Sequence, residues 1–250
     1  MVKIMTYNTH VGIPARSGWH RMATIWKHFM PTDDRKETLD KIATLVSEFD
    51  LVGLQEADAG SFRTGSINTV KYLSEKAGLS YWRHQVNRFM PHARHSLGLL
   101  SRFPIIEAQQ HKLPGKISGR GMMVVNVDVH GQNLAVCVAH LSLGRKDRIA
   151  QVKYIQDVIS GLGCPSVLLG DMNTQGDSRE FQLISERGFL KPATRDLPSY
   201  PSWNPSRGID HIFVSEGITV KRARALNVVL TDHLPVATEI QIENGSVTAA

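Results

Sequence analysis

What most limits the fold of this chain is a repeated pattern. Short apolar segments of strand length recur from one end to the other, and many stop abruptly at a carboxylate, an amide or an imidazole. The strand signal falls on Lys3–Tyr7, Leu51–Gln55, Ser96–Ser101, Met122–Val129, Leu134–Ala139, Val167–Leu169, Ile209–Val214 and Val236–Ile242. "LAVCVA" and "VLLG" are apolar on both strand faces, whereas "MVVNVDV" alternates, so some strands are expected to be buried on two sides and others on one. Between the strands, Leu39, Ile42, Leu45, Val46 and Phe49 recur at helical spacing within Thr38–Phe49, and Ile149, Val152, Ile155 and Ile159 repeat that signal. The expected architecture is α/β, with two sheets packed together and helices outside them.

A chain of 250 residues with 42% apolar and 21% charged residues suits one large globular domain, expected over residues 1–242 with a frayed tail at 243–250. No apolar run reaches membrane-spanning length, and "MVKIMTYNTH" enters a strand pattern without the parts of a secretion signal, so a cytoplasmic location is expected. Two cysteines make no disulfide framework, and neither is assigned a role. The net charge of +6 favours partners that carry phosphate: nucleic acid, an anionic membrane surface or a small phosphoester. No obligate protein partner is implied.

The residues at the strand ends carry the chemistry. Asn8 follows "KIMTY", Glu56 follows "LVGLQ", His140 follows "NLAVCVA", and Asp171 and Asn173 follow "VLLG"; Asp210 opens "DHIFVS", and Asp232 and His233 precede the last strand. Singly, each reads as a turn or cap residue. Together they suggest one cleft at one end of the fold. Glu56, Asp171, Asp232, Asn8 and Asn173 form an oxygen donor set without thiolates, which suits Mg²⁺ or Mn²⁺. His140 and His233 could supply a donor to a phosphate and a base for water, with Asp210 fixing the tautomer of His233.

The motifs "TYNTH", "LQEAD", "AHLS", "GDMN", "IDHIFVS" and "TDHLPV" occur in the order found in the endonuclease/exonuclease/phosphatase superfamily, and between about residues 3 and 242 the chain resembles its compact, deoxyribonuclease I-like bacterial members. The resemblance implies a four-layer α/β/β/α sandwich with the site at one edge of the packed sheets. It implies Glu56 as the main metal ligand, with Asn8 and Asp232 near the same ion. It also implies that Asp171 and Asn173 orient water and phosphate or hold a second ion, that His140 donates to a phosphate oxygen, and that His233 with Asp210 serves as base or transition-state stabiliser. Arg120 stands where relatives often carry a phosphate-contacting Arg. Two branches fit poorly. Ala57-Asp58 replaces the Thr-Lys usual in abasic-site endonucleases, and Leu168 and Gln175 replace the Trp and Arg typical of inositol-polyphosphate phosphatases.

Substrate contacts are therefore expected from the irregular regions Gly12–Arg35, Arg83–His95 and Lys191–Arg207. Trp19 and Trp26 could stack bases, and Arg63 and Arg145 could extend a basic patch. The expected activity is a divalent-metal-dependent phosphodiesterase, foremost a nuclease acting on DNA or RNA. The alternatives are a sphingomyelinase-like hydrolase of phospholipid headgroups or small phosphodiesters, and an inactive phosphate-binding module, for which a missing ligand would be the sign; none is missing.

Overall fold

The computed structural model describes residues 1–15, 17, 30–116 and 118–243. Two six-stranded mixed sheets lie face to face, with helices on both outer faces. The first contains β1 (Val2–Asn8), β2 (Leu51–Asp58), β3 (Tyr81–Met90), β4 (Ala93–Ser101), β11 (Ile218–Ala225) and β12 (Val236–Ile242), in the order β11-β12-β1-β2-β4-β3. The second contains β5 (Ile105–Lys112), β6 (Gly121–Val129), β7 (Gln132–His140), β8 (Ser166–Asp171), β9 (Lys191–Pro192) and β10 (Asp210–Val214), in the order β5-β6-β7-β8-β10-β9. The expected sandwich is therefore the observed one.

Three apolar layers explain the arrangement. Ile4, Leu99, Val125, Val136, Leu169 and Ile212 fill the space between the sheets. On the outer face of the first sheet, Met5, Val52 and Leu100 meet α1 (Asp33–Val46) and α2 (Thr69–Ala77) through Leu39, Ile42 and Leu73. On the outer face of the second, Val124, Cys137 and Leu168 meet α3 (Arg145–Ser160) and α4 (Arg179–Glu186) through Val152, Ile155 and Phe181. The central strands are covered on both faces, which is why their sequences lack alternation. Caps set the short helices: Asn68 accepts from the Lys71 N–H at 3.1 Å, and Ser178 accepts from the Phe181 N–H at 3.1 Å.

One expected loop is a hairpin instead. Residues 83–95 belong mostly to β3 and β4, which pair antiparallel from Tyr81↔Ser101 to Met90↔Ala93. β3 is an edge strand whose residues are mostly exposed or half-buried, so its apolar signal is weak. The parallel neighbours β1 and β2, and likewise β7 and β8, point their carboxyl ends the same way. Strand β10 runs antiparallel to β8 and begins where β8 ends. Among the described residues no helix is long and apolar enough to cross a membrane. Arg16, Trp19, Trp26 and residues 244–250 lie outside the described residues.

Candidate active site

Strand register alone aligns three site residues. His140 closing β7 is opposite Asp171 closing β8, and Asp171 is opposite Asp210 opening β10. The Gly before Asp171 is a packing requirement: Gly170 has φ +151°, and a Cβ there would lie 1.9 Å from the Ala139 carbonyl oxygen. "GD" thus brings β8 tightly against β7 just before presenting its carboxylate. After Asp171 the chain turns through Asn173, which adopts φ +50° and donates its N–H to Asp171 Oδ1 at 2.9 Å. The Asn173 amide nitrogen donates to the Leu141 carbonyl at 2.9 Å, tying this turn to the end of β7.

The other sheet supplies Asn8 and Glu56. Asn8 bridges the sheets by donating its amide N–H to Asp171 Oδ2 at 3.1 Å, while its oxygen accepts from the His10 N–H at 3.1 Å. Glu56 sits where the pairing of β2 with β4 slips between Leu54 and Ala57, and its backbone is left-handed, with φ +51°. A bulge of this kind re-aims a side chain at the rim of a sheet. The Glu56 carboxylate makes no hydrogen bond among the described residues. Burial pushes its pKa upward, but His140, His10 and His233 outweigh that and hold it down at about 2.

Asp171 Oδ2 is where the donors converge. Besides Asn8, His140 Nε2 lies 3.3 Å away and His233 Nε2 3.9 Å away. Burial opposes the charge on Asp171, yet His140, His233 and the Asn173 N–H hold its pKa far below the usual range. The Arg120 guanidinium also lies against His140 Nε2. His233 Nδ1 is 2.8 Å from Asp210 Oδ2, which accepts from the Ser199 hydroxyl at 2.6 Å as well. Desolvation depresses the His233 pKa, but the Asp210 and Asp171 carboxylates dominate and raise it to about 10. Asp171, Asp210 and His233 present ligand-type atoms within 4.8 Å of one another, the candidate metal cluster found among the described residues.

The remaining expected residues divide. Asp232 is buried beside His10, with its Oδ1 3.5 Å from the imidazole Nδ1. Arg120 lines a groove beside Glu56 and His140. Arg63, expected to meet substrate, is turned inward: its side chain is 2% exposed and its Nε donates to Asp58 Oδ2 at 2.8 Å. The reason is that the buried Asp58 needs a cation once it has accepted from Ser61 and Thr64. Arg145 opens α3 with an exposed side chain 3.7 Å from Glu180, away from that groove.

Three residues were missed. His10 is buried, left-handed at φ +43°, and within electrostatic reach of Glu56. Ser199 holds Asp210, and the Tyr200 ring packs on His233 with centroids 4.8 Å apart. His10 lies inside "TYNTH" and could have been found by its place in the motif; Ser199 and Tyr200 lie in the irregular region Lys191–Arg207, where nothing in the sequence singles them out.

Glu56, Asp171, His140 and His233 gather at one sheet edge in the motif order already described, and residues 5–233 match the Endonuclease/Exonuclease/phosphatase family. The chain belongs to that family. The family is one of phosphoesterase and nuclease type. Among solved structures the chain is similar to a family protein from Beutenbergia cavernae, with 20% identity and a TM-score of 0.77 over 99% of this chain and 73% of that one. It is also similar to a mannosyl-6-phosphatase from Bacteroides thetaiotaomicron, with 17% identity and a TM-score of 0.71 over 96% of this chain and 100% of that one. The human Nocturnin catalytic domain is similar at 14% identity and a TM-score of 0.69, over 96% and 93% of the two chains. These likenesses establish the shared fold.

The donor set fits the divalent metal on which members of this family generally depend. Glu56 offers an ionised carboxylate without a hydrogen bond, and the buried Asp210 Oδ1 has no partner among the described residues. Both cysteines lie elsewhere: Cys137 is in the apolar layer under α3, and Cys164 packs against it. Oxygen donors without thiolate match a hard cation.

Proposed function

We propose that this family member is a divalent-metal-dependent phosphodiesterase, with Glu56 as its principal metal ligand and Mg²⁺ or Mn²⁺ as the ion. The observation that carries the reading is the convergence of Asn8, His140 and His233 on Asp171 Oδ2, beside a Glu56 carboxylate that the bulge in β2 leaves unpaired. When bound, the ion supplies Lewis-acid polarisation of the phosphoryl group. The protein's own groups do the rest. His140 and Arg120, which lie side by side, are placed to donate to phosphoryl oxygens. Asp210 holds His233 by Nδ1 and turns its Nε2 toward Asp171. With His233 engaged in that way, Asp171 is the acceptor for the proton of an attacking water. Hydrolysis then forms a new P–O bond to water and breaks the P–O bond to the alcohol, which leaves with a proton.

Nucleic acid is one substrate class for this centre, supported by the net charge of +6. A smaller headgroup or polyol diester is the second, favoured by the size of the groove beside Glu56, about 140 Å³. An anionic membrane surface is a proposed partner under the second reading. The decisive measurement is hydrolysis of bis(4-nitrophenyl) phosphate, single- and double-stranded DNA, RNA and phospholipid diesters with Mg²⁺, with Mn²⁺ and in excess chelator. Activity that survives the chelator unchanged overturns the metal assignment.

A further inference from the structure

His233 is fixed at one atom by its carboxylate partner and needs a second contact to fix its plane. Its Nδ1 lies 2.8 Å from Asp210 Oδ2, but its Nε2 stands 3.9 Å from Asp171 Oδ2, beyond hydrogen-bond length. One hydrogen bond leaves an imidazole able to rock about that bond, and displacing a reacting group by about 1 Å costs on the order of 10²-fold in rate. The second contact is Tyr200, whose half-buried ring packs on the imidazole with centroids 4.8 Å apart and planes inclined by 57°. That separation is one at which aromatic rings attract. The Tyr200 ring is itself held by the exposed Arg207, whose guanidinium carbon lies 4.7 Å from the ring centroid.

The loop around Tyr200 is tied to both halves of this arrangement. Tyr200 and Arg207 exchange backbone hydrogen bonds, each N–H donating to the other's carbonyl at 3.0 Å. On one side of Tyr200, the Ser199 carbonyl accepts from the Leu234 N–H at 2.7 Å, and the Ser199 hydroxyl donates to Asp210 Oδ2 at 2.6 Å. On the other side, Ser202 donates its N–H to the Asp232 carbonyl at 2.9 Å and its hydroxyl to the Thr231 carbonyl. The loop thus grips the segment that carries His233 and the carboxylate that holds it, and Tyr200 stands between those two attachments. Resting on the phosphodiesterase reading, we propose that Tyr200 is a positioning residue for the hydrolysis: its aromatic ring, backed by Arg207, fixes the plane of His233 so that Nε2 stays directed at Asp171. The contact is made by the ring, so phenylalanine should serve in its place. Because the ring acts through His233, its contribution should vanish when His233 is removed.

The test is a double-mutant cycle on the metal-loaded protein with bis(4-nitrophenyl) phosphate as substrate, accompanied by thermal melts. Tyr200→Leu is expected to lower kcat by about 10–100-fold with KM within about threefold, and Tyr200→Phe to keep both constants within about threefold of the wild type. In the His233→Ala background, Tyr200→Leu should cost less than about threefold, since the group it orients is gone. An unchanged kcat in Tyr200→Leu, an equal loss in Tyr200→Phe, a change confined to KM, or a loss of undiminished size in the His233→Ala background each overturns the assignment. Should the melts show Tyr200→Leu to be unfolded, Arg207→Ala decides the matter by removing the exposed cation that backs the ring. It should lower kcat by about two- to tenfold and lose that effect in the His233→Ala background, and no loss overturns the assignment. Absence of diester turnover by the wild-type protein rejects the phosphodiesterase reading instead, and the positioning of His233 is then read from NMR of the imidazole nitrogens in histidine-labelled protein. A single sharp His233 Nε2 signal in the wild type and Tyr200→Phe that broadens or splits in Tyr200→Leu supports the assignment; a signal equally sharp in all three overturns it.

Discussion

At the scale of single residues, the site is built from positions where the backbone is forced. Glu56, Asn173, His10 and Val11 all have left-handed φ values between +43° and +55°, and they sit at strand ends around one edge. Such conformations cost about 1–3 kcal/mol for ordinary side chains and persist where surrounding structure over-determines them. Glu56→Gly should therefore fold at least as stably as the wild type in thermal melts, while losing nearly all metal-dependent activity. A less stable Glu56→Gly protein would show that the bulge does not strain this residue. Asp210→Asn retains the shape but weakens the hold on His233 Nδ1, and a loss of about 10–100-fold in kcat is expected, smaller than for His233→Ala. Equal losses in the two variants would argue that Asp210 contacts the reacting groups directly.

At the scale of elements, the segment after β2 and the β3–β4 hairpin form one supporting unit. Asp58 accepts from the Ser61 N–H, Ser61 and Thr64 hydroxyls and Arg63 Nε, and Arg63 Nη1 lies 3.4 Å from His95 Nε2. Removing one partner of a buried ion pair strands the other, so Asp58→Ala should lower unfolding free energy by about 3–5 kcal/mol in denaturant titrations. The same unit should be acid-labile. Burial, followed by the charge of Arg63, lowers the His95 pKa to about 4, and burial lowers those of His84 and His111 in the neighbouring strands. A depressed histidine binds its proton more readily in the unfolded chain, so its contribution to stability is complete above about pH 6.5 and is lost as pH falls toward the folded value. The thermal midpoint should drop between about pH 6.5 and 4, and His95→Asn should flatten part of that slope; an unchanged slope would remove His95 from the account.

At the scale of the whole molecule, function depends on two sheets meeting with their chemical ends aligned. Leu169 of β8 packs so closely on β2 that a Cβ at Gly53 would come within 1.9 Å of it. Leu169→Ala should lower stability by about 2–5 kcal/mol, measured by denaturant unfolding, and should depress kcat further by loosening Asp171 relative to Glu56. Binding to single-stranded DNA offers a test at the same scale. If nucleic acid is the substrate, log affinity should fall with log salt at about 0.7 per phosphate neutralised, whereas a polyol phosphate engages a single phosphate and should show a shallow slope.

The sequence by itself determined the strand signal, the two amphipathic helices, the sandwich and the roster of strand-end groups, because apolar periodicity is local and because "GDMN" or "TDHLPV" keeps its chemistry within a few residues. It also contained the reason for "GD", although only the packing of Gly170 on Ala139 makes that reason visible. Tertiary structure decided what depends on residues far apart in the chain. Asn8 reaches Asp171 across 163 positions, Ser199 holds Asp210, and Arg63 turns inward because Asp58 is already buried. The β3–β4 hairpin was hidden because an edge strand buries little apolar surface and so leaves little periodicity to read.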